Sequence, residues 1–151
     1  MNNTMNNYIS RGGWFSFKLA DGWTEYDDED DSTHAFWNEA AVSWTGNFRI
    51  TAFQWPNVTD STEDKASEYI TTEVLENTGA QKIILGEYDC AYYKKEFQQE
   101  RDHQVIYYWV TGAQNDIFIC TFSIDKEQEA MQINVKELTS VQNMIASIRI
   151  I

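Results

Sequence analysis

From residue 14 the chain alternates apolar and polar positions. Trp14, Ser16 and Lys18 fall on one side and Phe15, Phe17 and Leu19 on the other, which predicts a half-buried strand between Gly12-Gly13 and the turn Asp21-Gly22. Residues 33–38 alternate again, with Ala35 and Trp37 opposite His34 and Phe36. Residues 48–55 predict a longer strand that stops at Pro56, the only proline, because its ring removes a backbone donor and restricts the residue before it. The period then becomes helical. Ala66, Tyr69, Ile70 and Val74 form one stripe, Asp60 with Glu63 or Ser61 with Asp64 supplies a cap near residue 61, and Gly79 is a stop. Four strands are expected near 81–88, 90–98, 104–111 and 116–124, with hairpin-length connections at 100–103 and 112–115. A last helix is expected over 134–147. Asn134 is its cap, Glu137 the partner in a capping pair, and Leu138, Val141, Ile145 and Ile148 its buried stripe.

Hairpin-joined strands with two helices argue for an antiparallel sheet and the α+β class rather than alternating βαβ units. Residues 105–110 are apolar on both sides of the strand, so both faces of the central sheet are expected to be covered, most simply by one helix on each. The expected architecture is a single-domain α/β/α sandwich with a central, mainly antiparallel sheet of about six or more strands. Residues 1–12 are read as an N-terminal extension and 13–151 as the domain.

Certain blocks of sequence resemble known families. GWFSFKLADGW (13–23) resembles the opening of PsbP-like and Mog-like domains, where an apolar strand leads to a Pro-x-Gly-Trp turn. Ala20 stands where that proline would be, while Gly22 and Trp23 match. The segment 144–148 resembles their final helix and short strand. The blocks GWFSF, YYKKE (92–96), VIYYWVTG (105–112) and FICTFSIDKEQE (118–129) are similar to a bacterial family of unknown function found notably in Bacteroidetes. The resemblance implies the PsbP-like sandwich and a prior toward binding rather than catalysis, without naming a partner.

Composition changes the picture chiefly through charge. The 151 residues carry 24 acidic and 11 basic side chains, a formal net charge of −13, which disfavours nucleic acid and anionic membranes as partners. No stretch approaches the ~20 apolar residues of a membrane-spanning helix. The first residues lack the apolar core of a secretory signal, so a cytoplasmic location is expected. Cys90 and Cys120 lie in apolar runs and read as free buried thiols. A disulfide between neighbouring strands is the alternative for an exported chain. The charge is uneven: residues 21–31 hold seven acids and no base, and residues 60–76 hold six acids against Lys65. Glu63 and Asp64 complement the helix dipole, whereas Glu73 and Glu76 sit toward the wrong end for that.

No nucleophile elbow, zinc motif, phosphate loop or dinucleotide fingerprint is present. Asp28, Asp30 and Glu39 have the spacing of a calcium loop, but Thr33 occupies its glycine position and 33–38 alternates like a strand. His34 and His103 read as packed or solvated imidazoles. No catalytic, cofactor-binding or metal-ligating residue is assigned, and no cofactor is expected. The candidate partner-binding residues are Glu25, Asp27, Asp28, Glu29, Asp30, Asp31, Glu73 and Glu76, which would steer a cationic partner, together with Trp44 as an anchor. The expected function is a non-catalytic protein-binding module, an immunity- or antitoxin-like inhibitor or an adaptor for a basic protein. The alternative is a small-molecule carrier or enzyme with a site between sheet and helix, which requires a concave pocket with convergent polar groups.

Overall fold

A computed structural model describes residues 6–26, 32–41, 45–55 and 64–151. In chain order it contains β1 (Asn6–Ile9), β2 (Phe15–Leu19), β3 (Trp23–Tyr26), β4 (Thr33–Asn38), β5 (Gly46–Gln54), α1 (Lys65–Glu76), β6 (Gln81–Leu85), β7 (Tyr88–Gln99), β8 (Asp102–Ala113), β9 (Asp116–Asp125), α2 (Gln132–Ala146) and β10 (Arg149–Ile150). Seven strands form one sheet in the order β3-β4-β5-β9-β8-β7-β6, and β1-β2-β10 form a second. Every pairing is antiparallel. The α+β class and the single domain follow directly.

The two-residue period of the strands divides the interior. Val105, Tyr107 and Trp109 of β8 and Phe118, Cys120 and Phe122 of β9 join a large core with Phe15 and Phe17 of β2 and Val141, Met144 and Ile145 of α2. Their neighbours Val110 and Ile117 join a smaller core with Ala91, Tyr93 and Ala66 and Ile70 of α1. Each helix thus packs on strand residues of one parity. In the large core Phe17 meets Phe36 edge-on at 5.3 Å and Trp14 stacks on Phe118 at 5.4 Å, arrangements that suit the ring quadrupole.

Local signals account for most elements, and four readings change, one of them the start of α1, which is capped by Asp64 rather than by Asp60 or Ser61. Residues 6–9, within the stretch read as an extension, form β1 on the edge of the small sheet. β3 is a four-residue strand leading into the acidic run, too short to show a period. Asn134 does not cap α2, because the helix begins two residues earlier behind Met131, which makes no side-chain cap. Asn134 and Glu137 are instead buried, at 2% exposure each. The cap of α1 is Asp64, which accepts from Ser67 N at 2.9 Å and also from Gln114 N at 3.0 Å, fastening the helix start to the β8–β9 turn. The β6–β7 turn needs Gly86: its φ is +68°, and a Cβ there would lie 2.1 Å from the Ala146 carbonyl oxygen at the end of α2.

Cys90 and Cys120 are free and buried. They sit on β7 and β9 with β8 between them, two strand spacings or about 10 Å apart, beyond disulfide reach. Their reduced state therefore follows from sheet order and says nothing about compartment. Burial pushes the Cys90 thiol up to about 12 and raises that of Cys120 as well, so both are poor nucleophiles.

Candidate functional site

Three of the nine candidate partner-binding residues fall among the described residues; Asp27, Asp28, Glu29, Asp30, Asp31 and Trp44 lie outside them. Glu25 on β3 is part of a polar junction between the two sheets. Its Oε2 accepts from the Tyr8 hydroxyl at 2.6 Å and from Arg11 Nη1 at 3.3 Å. His34 Nδ1 lies 3.1 Å from the Tyr8 oxygen, and Arg11 Nη2 donates to the Thr33 carbonyl at 2.7 Å. Because Tyr8 gives its proton to Glu25, its oxygen is free to accept from His34 Nδ1–H. Burial, then the Arg11 charge, holds the His34 pKa below its ordinary value. Burial and the Glu25 hydrogen bond raise that of Tyr8. With His34 only 3% exposed, this cluster fastens β1 to β3 and β4 and leaves no imidazole open to a substrate.

Glu73 on α1 is also engaged. Its Oε2 accepts from Asn77 Nδ2 at 2.7 Å and from the Tyr93 hydroxyl at 3.3 Å. Glu76 is exposed. β3 and β7, the strand beneath Glu73, are five strand spacings apart, about 24 Å, well beyond the ~8 Å screening length at physiological salt. Glu25 and Glu73 therefore do not share one surface. The calcium-loop spacing meets β4 over residues 33–38, and among the described residues no group of three His, Cys, Asp or Glu is placed to hold a metal.

A buried carboxylate faces inward from α2. Glu137 Oε2 accepts from Asn38 Nδ2 at 3.1 Å, and Thr45 donates to the same carboxylate. Among the described residues its Oε1 and the Asn134 Oδ1 have no partner, and burial raises the Glu137 pKa.

The surface that sequence reasoning missed is the α1 side of the large sheet. α1 packs mainly over β7 and β8, so among the described residues no helix lies over the β3-side part of two adjacent cross-strand rows. One row runs Tyr26, Ala35, Arg49, Thr121, Tyr108, Tyr93; the next runs Thr24, Trp37, Asn47, Ser123, Ile106, Lys95. Ala35 and Tyr93 are buried, and the other ten are half-buried or exposed. Tyr26 donates to Asn47 Oδ1 and accepts from Arg49 Nη2, each at 3.3 Å. Tyr93 and Tyr108 stack at 4.7 Å with Lys95 Nζ over both rings at 5.6 and 5.8 Å. Neither row contains a carboxylate, although the chain is strongly acidic. Alternate Thr, Ser and Asn opposite buried Phe in β5 and β9 was the available signal.

The model of a family described as a domain of unknown function, DUF3805, matches residues 3–150. A crystal structure from Bacteroides thetaiotaomicron is similar at 31% identity and a TM-score of 0.75, over 98% of this chain and 49% of that one, so the chain spans about half the length of this relative. The structure of LpqN from Mycobacterium tuberculosis, described as involved in cell envelope biogenesis, is similar in fold at 7% identity and a TM-score of 0.57, over 96% of this chain and 89% of that one. Cyanobacterial PsbP from Synechocystis is similar at 11% identity and a TM-score of 0.46, over 100% and 95%. No curated protein is detectably similar.

Proposed function

The chain belongs to the DUF3805 family, whose description assigns no activity, and from that premise we propose that it is a non-catalytic protein-binding module. The observation that carries the reading is the pair of half-buried rows on the α1 side of the large sheet. Trp37, Tyr26, Tyr108 and Arg49 are of the residue types that dominate binding energy at protein interfaces, and Asn47, Thr121 and Ser123 supply adaptable hydrogen bonds around them. The described titratable groups support the same reading: both thiols are sealed, His34 is packed, and Glu25 and Glu73 are held in internal hydrogen bonds. Clefts lined by described residues hold about 190, 290 and 350 Å³, near the low end for ligand pockets. Glu25 and Glu73 do not share one face, so this reading does not rest on a basic partner. An inhibitor and an adaptor would both use such a surface.

A photo-crosslinking residue placed at Tyr108 in the living source cell, with a second variant carrying it at Lys136 on α2, tests this. A discrete protein adduct from position 108 and none from 136 is expected. Equal labelling at both positions, or none at 108, rejects the proposal.

A further inference from the structure

β7 is twelve residues long, but β6 pairs with it only over Tyr88–Tyr92. β8 pairs with the other edge through Gln99. Among the described residues, nothing pairs with the β6-side edge over 93–99, and Lys94 to Gln99 are all exposed. Alternate residues there direct N–H and C=O groups away from β8, and an added strand can satisfy a whole row of them at once.

The side chains along this edge differ between its two faces. On one, Glu96 pairs with Lys126 at 2.6 Å and His103 at 3.2 Å, and Lys94 pairs with Glu129 at 2.6 Å, so those charges are satisfied internally. On the other, Lys95 has only the two tyrosine rings beneath it and no described carboxylate at ion-pair distance, and Phe97 is 46% exposed. An unpaired lysine next to an exposed phenylalanine calls for a carboxylate beside an apolar residue. Where β6 stops, a cleft of about 350 Å³ lined by Thr78, Gly79, Gln81, Tyr93 and Lys94 continues the edge.

We propose that β7 over residues 93–99 is a strand-addition site for an extended segment of a partner protein. The segment runs antiparallel to β7, with an apolar residue opposite Phe97 and, two residues later, a carboxylate opposite Lys95. Antiparallel pairing is the more stable choice, and it brings the C-terminal end of the segment to the cleft. This rests on the protein-binding reading above and names the chemistry of the partner.

The probes are fluorescein-labelled seven-residue peptides of alternating Thr with Val-Thr-Glu at the centre, the same peptide with Lys for Glu, and a scrambled order, measured by anisotropy against the full chain. Saturable binding of the Glu peptide is expected, at least tenfold tighter than the Lys peptide. Phe97→Asp should weaken it tenfold or more, and Lys95→Glu should reverse the preference between the two peptides. Both substitutions are at exposed positions, and circular dichroism confirms that each variant folds. Hydrogen exchange should slow at the amides of 93–99 on binding. Absence of saturable binding, equal affinity for the scrambled peptide, or indifference to both substitutions overturns the proposal. A wild-type dimer in sedimentation equilibrium that Phe97→Asp converts to monomer also overturns it, in favour of a second copy on the same edge. If the edge test fails while crosslinks from Tyr108 persist, only the strand-addition site falls and the binding module stands.

Discussion

The two sides of strand β8 have different surroundings. Trp109 is fully buried between Tyr92 and Tyr107 beneath α2 and the small sheet, whereas its neighbour Tyr108 is half-buried beside Tyr93 and Lys95. The same division runs across the sheet. The α2 side carries Phe36, Phe48, Ile50, Cys120 and Phe122 and conceals the few polar groups it contains, such as His34 and Glu137. The α1 side shows Thr, Ser, Asn, Arg and Tyr to its surroundings. One side is a filled apolar layer, and the other presents the polar and aromatic side chains on which the binding proposal rests.

The sharpest way to break this contrast is to truncate the neighbours separately. Trp109→Ala should cost about 3–5 kcal/mol in urea unfolding, from lost burial and the cavity left behind. Tyr108→Ala should cost about 0.5–1.5 kcal/mol, the worth of an aromatic pair. Equal losses would mean that the α1 side is a core of the same kind.

A smaller effect is expected where α1 is anchored. Asp64→Ala removes the acceptor of two backbone amides and should cost about 1–2 kcal/mol, the upper part of the range for a helix cap. A Ser at this position should recover much of the loss.

The buried ionisable groups on the α2 side predict opposing pH slopes. The His34 pKa is lowered on folding, so the unfolded state binds more protons once the pH falls through the ordinary histidine value of 6.5, and stability drops on that acid side. Glu25, Tyr8 and Arg11 face the same imidazole, and His34→Gln should flatten this slope in a pH series of unfolding midpoints. The Glu137 pKa is raised, so the folded state binds more protons, and stability falls as the pH rises above the ordinary carboxyl value of 4.5. Glu137→Gln should remove that fall. A profile unchanged by both substitutions would mean that the α2 side does not penalise charge. The least sensitive position should be Lys126, whose ion pairs with Glu96 and Glu129 are solvent-screened. Lys126→Ala should leave the denaturant midpoint within error at physiological salt.

Elements with a strong period were legible. The stripe of Ala66 and Ile70 is the buried face of α1, and the two-sided apolar run at 105–110 is a strand with a core on each side. β1 was not legible, because Asn6-Asn7-Tyr8-Ile9 has no apolar pattern and becomes a strand only through pairing with β2. Asn134 and Glu137 imitate a helix start in sequence, and only the position of Tyr107 and Asn38 opposite them shows that they face inward. Of the candidate site, Glu25 and Glu73 were found as charges, but their engagement with Tyr8 and Tyr93 depends on contacts 17 and 20 residues away in sequence.

The sequence by itself determined most local states: the strands and helices with a strong period, which stripes are apolar, and how much charge each segment carries. These follow from the preferences of neighbouring residues. The tertiary structure decided strand order. That order separates Glu25 from Glu73, keeps the two cysteines a strand apart, gathers Tyr26, Trp37 and Tyr108 onto one side, and ends β6 halfway along β7. Such placements follow from which long-range pairings bury the most apolar surface together, a property of the whole chain that no local window contains.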